Sequence, residues 1–113
     1  MQVRTRRFLA ILSLAVLLSC SNKSQSTIRV RNDRATKANV QFKDASANTT
    51  NINDVAAGTA STYLDIATGP YTVTAIIQNE TVSPTLAFTV LANESYTLVV
   101  VAGATPTLRV DRP

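Results

Sequence analysis

The sequence predicts an all-β sandwich, and three observations carry that prediction. Beyond residue 26 the apolar residues recur at every second position, the period of half-buried strands. Turn-forming clusters interrupt these runs at short intervals. Outside the leader, no window of helical length carries a 3.6-residue apolar stripe. Seven or eight short strands in under 90 residues suit two antiparallel sheets packed face to face, of immunoglobulin-like or transthyretin-like type, after an N-terminal signal helix.

The chain has 113 residues, enough for one ordinary domain. Its first 19 residues are expected to be a removable export signal. Arg4, Arg6 and Arg7 precede an apolar block from Phe8 to Leu18 that one hydroxyl, Ser13, interrupts. Eleven helical residues rise roughly 16 Å, about half a bilayer's hydrocarbon thickness, so the block is too short for a stable span. Leu17-Leu18-Ser19-Cys20 then resembles the bacterial lipobox. That resemblance implies diacylglycerol on the Cys20 thiol, cleavage between Ser19 and Cys20, and acylation of the new amine. The small Ser19 suits a peptidase subsite that admits little bulk. Acyl chains at Cys20 would hold the protein to a membrane, each buried methylene contributing about 0.8 kcal/mol. Residues 20–26 form the lipidated cysteine and a polar tether that reaches at most ~20 Å. Ser21 after the cysteine, where no Asp stands, resembles signals that permit transfer to an outer membrane.

Removal of the leader changes the charge. The precursor carries eleven basic and seven acidic residues, but eight and seven remain after the cut. The surplus of +4 thus gives little reason to expect nucleic-acid binding. The chain has no His and one Cys, which excludes Ser-His and Cys-His catalysis, a histidine metal site and an internal disulfide.

Residues 27–113 are expected to form the sandwich. Ile28 and Val30 alternate with Arg29 and Arg31; Ala38, Val40 and Phe42 alternate with polar neighbours. Leu64 and Ile66 face one way. Tyr71, Val73, Ala75 and Ile77 make the inner side of the best strand. Leu86, Phe88 and Val90 follow, then Tyr96, Leu98 and Val100, and finally Leu108 and Val110. Turns are expected at Asn32-Asp33, residues 45–51, Gly69-Pro70, residues 78–80, residues 92–94 and residues 103–106. Sixteen threonines fit exposed pleats. Asn-x-Ser/Thr triplets at Asn48, Asn79 and Asn93 are expected to serve as turn residues.

The segment from Val55 to Val73, VAAGTASTYLDIATGPYTV, resembles a widespread bacterial Ig-like family known only as a domain of unknown function, often found as tandem extracellular repeats. Its pattern is V-x-x-G-T-x-S-x-Y-L-x-L-x-x-G-x-Y-T-V. The stretch from Val90 to Val100 is similar to a later segment of the same family, and the first two strands fall in register with it. The likeness covers nearly all of the mature chain. It departs at Asn32-Asp33-Arg34-Ala35-Thr36-Lys37-Ala38, where the family has His-Ala-Ser-Pro-Asp-Ala-Pro. The motif residues are mostly those of turns and core, so the resemblance implies a fold and no activity.

No catalytic residue, metal ligand or cofactor is expected. Asp54 and Asp65 form the one imaginable acidic pair, and no third group supports it. Asp33, Asp44 and Asp54 lack calcium-loop spacing. Two surfaces stand out instead. Arg29, Arg31, Arg34 and Lys37 are expected to make a basic strip. It would either touch lipid phosphates or an acidic wall polymer, or guard a first strand at a sheet edge. Ile76, Val99 and Val101 lie by parity on outer faces, either as a docking patch for a partner or as a covered central strand. The expectation is a non-catalytic, lipid-anchored envelope protein, in the outer membrane, that binds or scaffolds a protein partner. The alternatives are a carbohydrate or peptidoglycan contact module, or a hydrolase using an acidic pair. No nucleic acid is expected as a partner, and oligomeric state is left open.

Overall fold

The computed structural model describes residues 25–112. The expected signal helix, Ser19, Cys20 and most of the expected tether lie outside the described residues. Eight strands follow: β1 (Ser26–Asn32), β2 (Ala38–Asp44), β3 (Thr49–Val55), β4 (Leu64–Ile66), β5 (Gly69–Ile77), β6 (Thr85–Val90), β7 (Ser95–Val101) and β8 (Thr107–Asp111). Among the described residues there is no helix. Sheet A has the order β4-β1-β7-β8 and sheet B the order β3-β2-β5-β6. The fold is an all-β sandwich.

Alternation seats the core. Ile28, Val30, Tyr96, Leu98 and Val100 from sheet A meet Val40, Phe42, Val73, Ala75 and Ile77 from sheet B, all buried. Three aromatic rings bridge the layers. Phe88 lies 6.4 Å from Tyr71 within sheet B and meets Tyr96 of sheet A edge-on at 5.6 Å. Both phenols are satisfied: Tyr71 donates to the Ala67 carbonyl at 2.8 Å, and Tyr96 accepts from the Leu91 amide at 2.8 Å. Leu64, expected inside with Ile66, is 39% exposed at the end of the three-residue β4.

Three features depart from the sequence reading. The expected turn at residues 45–51 is shorter, because β3 begins at Thr49. Thr50 and Ile52 are partly buried while Asn51 and Asn53 face solvent, so the strand's only apolar residues are Ile52 and, at its end, the buried Val55. Gly69-Pro70 opens β5 rather than preceding it; Gly69 has φ 131°, a backbone open chiefly to glycine. Most consequential is the first strand, which was expected at an edge if its arginines guarded one. It sits inside sheet A.

On one side β1 pairs with β7, in register from Thr27–Ser95 to Asn32–Val100. That pairing is parallel; the other strand pairs are antiparallel. On its other side β1 pairs with β4 from Ser26 to Ile28. Beyond that, residues 58–61 lie alongside. The Ser61 amide donates to the Val30 carbonyl and the Thr59 carbonyl accepts from the Asn32 amide, each at 2.8 Å. Ser61 Oγ also accepts from the Val30 amide at 3.0 Å.

Phe42 is fully buried at the centre of β2. Phe42→Ala is expected to lower stability by ~3–5 kcal/mol, read as a shifted midpoint in chemical denaturation with the slope unchanged.

Candidate functional site

The basic strip is dispersed. Arg29 and Arg31 lie on the outer face of sheet A. Arg29 donates from Nε to Thr97 Oγ1 at 3.1 Å and covers the Tyr63 ring at 5.0 Å. Arg31 grips Asp33 with two bonds of 3.0 and 3.1 Å, and that bonded carboxylate holds its proton above the usual guanidinium range. Lys37 pairs with Asp54 at 3.3 Å. Arg34 is turned inward, its side chain 9% exposed. It pairs with Glu80, Nη2 reaching Oε1 at 2.7 Å, and donates to the Val101 carbonyl at 2.6 Å and the Gly103 carbonyl at 3.0 Å. One guanidinium thus ties together the β1–β2, β5–β6 and β7–β8 loops. Of the four cations, Arg29 alone has no acid partner among the described residues.

Beside Arg34 stands Asn32, fully buried. Its Nδ2 donates to the Thr36 carbonyl at 2.7 Å and the Val55 carbonyl at 3.0 Å, while Oδ1 accepts from the Arg34 amide at 3.0 Å. The segment Asn32 to Ala38 is therefore a structural knot. Gly58, Ser61 and Tyr71 are structural too: Gly58 has φ 72° and its amide bonds to the Asn32 carbonyl, and Ser61 and Tyr71 make the bonds given above.

Ile76, Val99 and Val101 do not form one patch. Ile76 is on sheet B and 62% exposed; Val99 and Val101 are on sheet A. Val99 is fully buried, so the docking reading fails for it. Its register neighbours are Arg31 on β1 and Arg109 on β8, long side chains whose apolar stems can cover a valine. Arg109 in turn grips Asp111 at 2.8 and 3.0 Å. That bonding keeps the Asp111 carboxyl below the ordinary carboxylate range. On the outer face of sheet A, Arg31 and Arg109 are thus each paired with a nearby acid, while Arg29 rests on Thr97 and Tyr63.

The outer face of sheet B is different, and the sequence reading missed it. Asn39 and Gln41 of β2 stand beside Asn51 and Asn53 of β3, and Thr74 and Ile76 of β5 complete a shallow groove of about 260 Å³. Rows of threonine continue it: Thr72, Thr74, Thr85 and Thr89. The signal was the alternation Thr50-Asn51-Ile52-Asn53, obscured because asparagine is a common turn residue.

Asp54 is in sheet B, paired with Lys37, and Asp65 is in sheet A; both are exposed. Among the described residues no three acidic or cysteine side chains come together as a metal site.

No family model matches the chain, and no curated protein matches it. Among solved structures it is similar to a protein from Eubacterium rectale determined by NMR, with TM-score 0.56 and 13% identity over 80% of this chain and 92% of that one. That likeness shows the fold alone.

Two predictions follow from the buried polar groups. Asn32→Ala leaves two carbonyls and an amide without their partner, and is expected to cost roughly 2–4 kcal/mol in denaturant titration. Burial, and then the nearby Asp44 charge, push the Tyr71 phenol above its ordinary value. A raised folded-state value means stability is intact below the free phenol's pKa of about 10 and is lost as pH rises through the folded one. Tyr71→Phe is expected to flatten that alkaline loss, measured by denaturation at increasing pH.

Proposed function

We propose that this protein is a lipid-anchored, non-catalytic component of a bacterial envelope, in the outer membrane, and that it binds or scaffolds a protein partner through the outer face of sheet B. The anchor rests on the lipobox-like Leu17-Leu18-Ser19-Cys20 behind a positive, apolar leader. The observation that supports the binding surface is the contrast between the two outer faces. On sheet A, Arg29, Arg31 and Arg109 are held by neighbours on the same face, whereas sheet B presents Ile76, 62% exposed, among side-chain amides and hydroxyls. A large exposed aliphatic ringed by polar groups of both donor and acceptor type is the composition of an interface centre and rim.

A second reading has its own support. Asn39, Gln41, Asn51 and Asn53 line one groove, and amides that donate and accept together match sugar hydroxyls. Tyr63 lies on the opposite sheet's side, so this groove offers no aromatic platform, and the glycan reading stands second.

Radiolabelled palmitate is expected to enter the expressed wild-type protein, and Cys20→Ala to lose both the label and the membrane fraction. An unlabelled wild type contradicts the anchor. For the surface, crosslinking in cells is expected to recover a partner that Ile76→Lys loses and Arg31→Glu retains. Retention of a cell-wall glycan that depends on Asn51 and Asn53, with no protein neighbour, would select the second reading.

A further inference from the structure

Among the described residues, each sheet ends in two strands with one side unpaired, and an unpaired strand invites another chain to continue the sheet. Three of these edges are blunted. β4 is three residues long. β8 carries Arg109 and Asp111. β3 has an irregular register against β2 and places Asp54 at φ 57°, its amide taken by Asn39 Oδ1 at 2.7 Å. β6, Thr-Leu-Ala-Phe-Thr-Val, has six residues with no charge and no proline.

The backbone of β6 is set for such pairing. The Ala75 amide donates to the Pro84 carbonyl at 3.0 Å. Counting along the antiparallel register, Leu86, Phe88 and Val90 therefore direct their amides and carbonyls at β5. Those of Thr85, Ala87 and Thr89 point to the open side. Pro70, which has no N–H, falls opposite Thr89 at a position where no bond between the strands is required. The side chains of Thr85, Ala87 and Thr89 are exposed on the outer face, and Leu86 and Phe88 are half-buried beneath.

From this we infer that the occupant of the β6 edge is a second copy of the same chain, two β6 strands pairing antiparallel about Ala87. The sequence is nearly symmetric about that residue. A two-fold axis there sets Ala87 against the second copy's Ala87, Thr85 against Thr89, and Leu86 against Phe88. Small residues meet at the axis, hydroxyls meet hydroxyls on the outer face, and the half-buried Leu86 and Phe88 cover one another at the rim of the core. Three opposed pairs, each exchanging two backbone bonds, would join the sheets. No charge opposes the approach, as Arg109 or Lys43 would if brought against its copy. The result is one eight-stranded sheet whose outer face doubles the groove around Ile76. Pairing through six residues is a weak contact, and confinement of both copies to one membrane would raise their effective concentration. The pairing itself does not depend on the proposed anchor or on any partner.

The test uses the full chain with Cys20→Ala, so that each added cysteine stands alone. Opposed residues at bonded positions have Cα atoms about 5.5 Å apart, within disulfide range. Under mild oxidation, Ala87→Cys is expected to form covalent dimers at least ~10-fold faster than Ile76→Cys, a cysteine also at an exposed position but off the edge. Thr85→Cys and Thr89→Cys should each crosslink slowly alone and rapidly when mixed. Ala87→Lys, outward-facing and compatible with the fold by circular dichroism, should lower the dimer fraction at least ~10-fold in sedimentation velocity. Equal rates for Ala87→Cys and Ile76→Cys would overturn the proposal. So would equal self-crosslinking at all three β6 positions, or a dimer fraction unchanged by Ala87→Lys.

Discussion

The structure depends on closing both sides of β1. A first strand has no preceding partner in the chain, and in this fold both of its edges are filled from far along the sequence. β7 supplies one side in parallel; β4 and residues 58–61 supply the other. Parallel pairing requires a long return path, and here that path is the whole of sheet B together with β4. The two sheets are therefore not independent layers. Sheet A cannot close around β1 until the chain has made β2 and β3 and come back through Gly58 and Ser61. Asn32, at the end of β1, joins the layers once more by binding Val55 of β3 through its side chain. Of the strand contacts, those of β1 with β7 span the longest sequence separation, which points to slow, late closure of sheet A.

This arrangement explains how polar the domain can be. Its four cations around the first loop do not form a common field, because each is drawn to a different structural task. Arg29 rests on Thr97 and Tyr63, Arg34 staples three loops, Arg31 grips Asp33 beside Val99, and Lys37 meets Asp54 at the β3 irregularity. Exposed ion pairs contribute little each, so their effect is mainly to leave sheet A's surface self-satisfied. The surface left with unmet hydrogen-bonding capacity and exposed apolar area is on sheet B. The functional reading and the self-pairing reading both converge there from separate features, the groove at β2, β3 and β5 and the edge at β6.

Most of the architecture was legible in the residues. Strict alternation located seven strands and separated inner from outer side chains in β1, β2, β5 and β7, because a half-buried strand has only one way to place its apolar set. β3 escaped because its inner face needs little: Thr50 and Ile52 are at a sheet margin, and Asn51 and Asn53 carry a turn-like composition. The position of β1 escaped for another reason. Arginine at alternate positions fits both an edge strand and a solvated face of a central one, and only the long-range pairing decides between them. Val99 failed similarly: parity placed it outside correctly, but it is buried on a strand flanked there by Arg31 and Arg109, which lie 68 and ten residues away and meet it only through register. Tyr71 and Tyr96 were read correctly as inward.

Native-state hydrogen exchange, read residue by residue, tests the central claim most directly. With β1 enclosed on both sides, the amides of Val30 and Asn32 should exchange only through global unfolding, together with those of Val73 and Ala75 in β5. Exchange of the β1 amides well ahead of β5, at the rate of the open outer edge of β3, would contradict it.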